Sequence, residues 1–77
     1  MRSKSPELME KIKEFAEGYF RENGETPSNK TIAGAMGMGR STVYYYLVDM
    51  AQRGMISYEN GVISTEKIRK LMPEVNQ

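Results

Sequence analysis

The chain has 77 residues, enough for one domain, and contains neither cysteine nor histidine. That excludes a disulfide framework, a thiolate nucleophile and a cysteine-held metal, and it removes the commonest metal ligand and general base. The acids left are Asp49 and nine glutamates, six of them between Glu7 and Glu25 at spacings that suit a solvated helical face. No enzyme, cofactor or metal site is expected.

The net charge of +1 hides a gradient along the chain. Residues 7–25 set three bases (Lys11, Lys13, Arg21) against six acids. Residues 26–54 set Lys30, Arg40 and Arg53 against Asp49 alone, so the middle of the chain is its weakly electropositive part. No stretch approaches the ~18 apolar residues of a membrane span, and the opening MRSKSPELMEKIK lacks the apolar run of a signal peptide. The expectation is a cytoplasmic protein with no membrane partner. No repeat, linker or low-complexity tract divides it, so 1–77 reads as one domain with its core at about 5–72.

Ser5 as N-cap, Pro6 at the first helical position and Glu7 in the first turn predict a helix start. Leu8, Ile12, Phe15, Ala16, Tyr19 and Phe20 then form one apolar stripe of helical period, with the glutamates and lysines on the outer face. Asn23-Gly24 stops this helix. Thr26-Pro27-Ser28 opens a second, shorter one, with Ser28 as cap, Ile32, Ala33 and Met36 inward, and Gly37 as its end. Gly37-Met38-Gly39 reads as a tight turn in which both glycines are free to take positive φ. A third helix is predicted from about Arg40 to Arg53, closed by Gly54, with Val43, Tyr46 or Leu47, and Met50 inward. Met50, like Met36, Met38 and Met55, sits where packing calls for leucine and reads as core filling.

Ile56 and Tyr58 on one side, and Val62 and Ile63 on the other, flank Asn60-Gly61, the favoured pair for a two-residue hairpin turn. Ser64 or Thr65 caps a last short helix with Ile68, Leu71 and Met72 apolar, and Pro73 stops it. That apolar set reads equally as a lid on the core or as a dimer seam, since so short a helix cannot stand alone. The fold class expected is mainly α with a small β-hairpin: a three-helix core, a wing and a short C-terminal helix.

The run PSNKTIAGAMGMGRSTVYYYLVDMAQRGMIS resembles the winged helix-turn-helix of bacterial transcriptional regulators. Ile32-Ala33, Met36-Gly37-Met38, Ser41-Thr42-Val43, Leu47, Met50 and Arg53-Gly54-Met55-Ile56 carry the likeness. Gly24-x-x-Pro27-Ser28-x-x-x-Ile32-Ala33 is similar to the start of the LexA repressor's DNA-binding domain. The turn is one residue shorter than is usual there, nearer the generic winged-helix form, and the self-cleaving domain that accompanies it in LexA is not expected. The resemblance implies sequence-specific binding of double-stranded DNA, as a transcriptional regulator of the repressor kind, with helix 40–53 as the recognition helix.

A helix fits the B-DNA major groove and presents its N-terminal residues to base edges. At 100° per residue, Tyr46, Leu47 and Met50 cluster about Val43, while Ser41, Tyr45, Val48 and Gln52 fall opposite and Thr42 and Tyr44 sit at the edges. Three consecutive tyrosines cannot all be buried, so Tyr46 is expected inward and Tyr44 and Tyr45 outward. A tyrosine nucleophile is discounted, because the arginine and histidine activators it needs are sparse or absent.

Arg40 is expected to fork onto guanine or clamp a phosphate. Ser41 and Thr42 read equally as helix-start residues or as DNA contacts. Ser28, Asn29 and Lys30, at the start of the second helix, suit a phosphate. The wing tip is Glu59-Asn60-Gly61 and has no base, which leaves Asn60 and the Gly61 amide to reach a phosphate. With so few bases one copy should bind weakly, and a homodimer on a two-fold operator is the natural arrangement. The competing reading is a winged helix used for protein–protein contact, docking through the Tyr44/Tyr45 face.

Overall fold

Residues 5–71 are described by a computed structural model, and α1 (Pro6–Asn23) begins where the capping chemistry requires. The Ser5 hydroxyl accepts from the Leu8 N–H, Pro6 occupies the first helical position, and Gly24 closes the helix in the left-handed region at φ 78°. The buried stripe is rotated from the expected one. Met9, Ile12, Ala16 and Phe20 are buried, whereas Leu8, Phe15 and Tyr19 are half-buried on its flank. Glu17 is a second correction: only 6% exposed, it is not on a solvated face. The cause is α4 (Glu66–Leu71), which packs against α1 and covers the flank that carries Glu17.

α2 (Asn29–Met36) follows Pro27, which is buried, and is capped by Ser28, whose hydroxyl accepts from the Thr31 N–H at 3.1 Å. Gly37 ends it at φ 68°, and the Met38 N–H returns to the Ala33 carbonyl at 2.9 Å. Gly39, though free to take positive φ, does not use that freedom. Its φ is −74°, extended backbone, and it serves as the N-cap of α3 (Arg40–Gln52) without any side-chain cap bond. The turn therefore uses one left-handed residue, not two.

α3 turns Val43, Tyr46, Leu47 and Met50 inward, settling the alternative at Tyr46 or Leu47 in favour of both. Together with Met9, Ile12, Ala16, Ile32, Ala33, Ile56 and Ile63 they form one core cluster, against which Met36, Met38 and Met55 pack half-buried. The hairpin of β1 (Ser57–Glu59) and β2 (Val62–Ser64) is antiparallel, with Tyr58 opposite Ile63 and Glu59 opposite Val62. Asn60 at φ 54° and Gly61 at φ 76° give the type I′ turn that matches the strand twist. In α4, capped by the Thr65 hydroxyl, Ile68 is fully buried but Leu71 is 42% exposed. Among the described residues of α4, Ile68 is the buried one and so the one placed to act as a lid. Met72 and Pro73 lie outside the described residues. Three helices carrying a hairpin wing and a short final helix make this a winged helix-turn-helix.

Candidate nucleic-acid interface

The α2–turn–α3 unit places the first turn of α2 beside the outward face of α3. Between them runs an open groove of about 590 Å³, lined by Ser28, Asn29, Lys30, Arg40, Ser41, Tyr44 and Tyr45. Seven of the ten residues singled out from the sequence thus meet on one surface. Thr42 is exposed on α3 but does not line the groove, and Asn60 and Gly61 stand exposed at the wing tip.

The groove carries two cations and no carboxylate. Among the described residues neither Lys30 nor Arg40 has an ion-pair partner, whereas Arg53, just past the end of α3, pairs with Asp49 at 3.1 Å. A second cleft, between α1 and α4, is lined by Glu10, Glu14, Glu17 and Glu66 as well as Lys13, Lys67 and Lys70. Carboxylates there repel phosphate, so an anionic partner is favoured by the α2–α3 groove and not by the α1–α4 cleft.

The hydroxyls divide by role. Ser28 spends its oxygen on the helix cap and shares a 3.0 Å hydrogen bond with the Thr31 hydroxyl. Ser41 and Thr42 cap nothing, because Gly39 holds the cap position of α3, so both hydroxyls stay available on an exposed surface.

Tyr44 and Tyr45 are 47% and 60% exposed, while Tyr46 is buried, as the helical wheel requires. Tyr44 meets Tyr45 edge-to-face at 5.6 Å and meets Tyr58 of β1 at 6.2 Å. The Tyr58 hydroxyl in turn donates to the Asn29 side-chain carbonyl at 3.3 Å, tying the wing to the first residue of α2. Tyr58 was missed as a site residue. Its only signal in the sequence was an aromatic ring on the core-facing side of a wing strand, larger than its small partner strand can cover.

A third helix lacking acids on its exposed first turn, a second helix abutting it, and a wing beside both define a DNA-binding winged helix-turn-helix domain of the kind found in transcriptional regulators. The family model described as the IclR helix-turn-helix domain matches residues 18–60, from the second half of α1 to the wing tip. The chain belongs to the IclR helix-turn-helix domain family. No curated protein matches the sequence. Among the described residues no helix is long and apolar enough to cross a membrane.

Proposed function

We propose that the protein is a bacterial, cytoplasmic repressor, without enzymatic activity, that binds specific duplex sites by laying α3 in the major groove. Arg40 and Ser41 meet the first base edges, Thr42 a flanking phosphate, and Tyr44 and Tyr45 the base edges one helical turn further on. Lys30 and the N-terminal amides of α2, with Asn29 beside them, hold the phosphate backbone across the groove, with Ser28 fixing that helix end. At the wing, Asn60 and the Gly61 N–H reach the next phosphates by hydrogen bonding, since residues 57–64 carry no base. Two copies on a two-fold operator double these few contacts. From the LexA likeness, confined to residues 24–33, only the mode of action is carried over: occupation of an operator.

The observation that carries this reading is the groove itself, which joins Lys30 of α2 to Arg40 of α3 with no carboxylate between them. Titration of the protein into a labelled pool of random-sequence duplexes at low salt tests it. Binding that weakens as salt rises is expected; no binding to any duplex contradicts it.

A further inference from the structure

We infer that the tyrosine face of α3 reads thymine by its methyl group. This rests on the reading of α3 as the helix in the major groove and names what that helix selects there.

Beyond Arg40, positions 41–48 carry no charged side chain, so base edges along this helix meet hydroxyls and aromatic carbon. The carbon is ordered. Tyr44 is held between Tyr45 and Tyr58, edge-to-face with each at 5.6 Å and 6.2 Å, so its ring loses little freedom when it is covered. Tyr45 is the outermost ring of the strip at 60% exposure and lines the same groove as Arg40.

An aromatic ring pressed on a guanine or adenine edge, or on the cytosine amino group, strips water from acceptors and donors without replacing it. The thymine C5-methyl is the one apolar group that a base pair shows in the major groove, so it is the feature such a ring can cover at no polar cost. Spacing follows from the same geometry. Arg40 and Tyr44, and Ser41 and Tyr45, are four residues apart, a rise of about 6 Å along the helix axis, or about two base-pair steps for a helix lying along the groove. A preferred site should therefore hold a guanine with thymine about two base pairs away.

The test uses duplexes enriched by the protein from a random pool, remade with deoxyuridine in place of every thymidine, which removes only the methyl. The expected result is a loss of about fourfold in affinity for each methyl covered, the value of one buried methyl group. Tyr45→Ala should bind the thymine and uracil duplexes equally. Equal binding of both duplexes by the unmodified protein overturns the inference while leaving duplex binding intact, and so does a Tyr45→Ala variant that keeps the full discrimination. If no duplex is enriched at all, the DNA reading fails and this inference fails with it.

Discussion

The N–H of Ser5, the residue that caps α1, donates to the Tyr46 hydroxyl at 3.0 Å across 41 positions of sequence. The last of the three consecutive tyrosines thus ties the beginning of the first helix to the helix that faces the groove. Tyr46 is 9% exposed, so both its ring and its hydroxyl are engaged in the fold. Tyr46→Phe should cost about 1 kcal/mol through the lost hydrogen bond, and Tyr46→Ala about 3 kcal/mol or more through the cavity. Tyr45→Ala, on the exposed side, should stay within about 0.5 kcal/mol of the parent. Urea unfolding of the three variants checks the order.

Binding should reverse that order. Tyr45→Ala is expected to cost about 1–3 kcal/mol on a specific duplex and less on random sequence, because a tyrosine neutralises no phosphate. Arg40→Ala should lower specific affinity as well. Should Tyr45→Ala leave specific binding untouched and instead abolish capture of a protein partner, the tyrosine face is a docking surface.

Ile68 and Leu71 separate lid from seam. Ile68 is fully buried against α1, so Ile68→Ala should cost about 2–5 kcal/mol of stability. Leu71, 42% exposed, should accept glutamate without unfolding. Sedimentation of Leu71→Glu then reads the assembly: a dimer reduced to monomer places Leu71 in a seam, and an unchanged mass removes it from one.

Gly37 holds φ at 68° between α2 and α3, and Gly61 holds 76° at the wing tip. Apart from the glycine and its two chain neighbours, no heavy atom lies within 4 Å of where a Cβ would stand at either, so an alanine there meets backbone strain alone. Each change to alanine should cost about 1–2 kcal/mol in thermal or urea unfolding. Gly39→Ala, at φ −74°, should escape that strain penalty.

The elements and their caps were legible because short-range chemistry sets them: Ser5-Pro6, Ser28, Gly24, Gly37 and Asn60-Gly61 all act as their residue types dictate. The inward set of α3 was legible too, since Val43, Leu47 and Met50 leave one solution for the helix wheel. What failed depended on tertiary neighbours. The α1 stripe turned toward Met9 rather than Leu8, and Glu17 was covered, because the position of α4 is not written in the period of α1. Gly39 took an extended cap conformation because α3 needed a residue there, although two glycines made two left-handed residues permissible. Tyr58 was missed because its partners, Tyr44 and Asn29, are brought to it only by the fold.

The central claim, that DNA seats on the α2–α3 groove with its backbone held at Lys30, is tested most directly by the salt dependence of duplex binding for the parent and for Lys30→Ala. Each phosphate neutralised contributes about −0.9 to the slope of log affinity against log salt, and so few bases should give a slope of roughly −3 to −5 per dimer. Lys30→Ala should flatten that slope by about 0.9 per protomer while leaving sequence preference unchanged. A parent that binds no duplex at low salt, or a Lys30→Ala variant with the parent's slope and affinity, would contradict the placement of DNA in this groove.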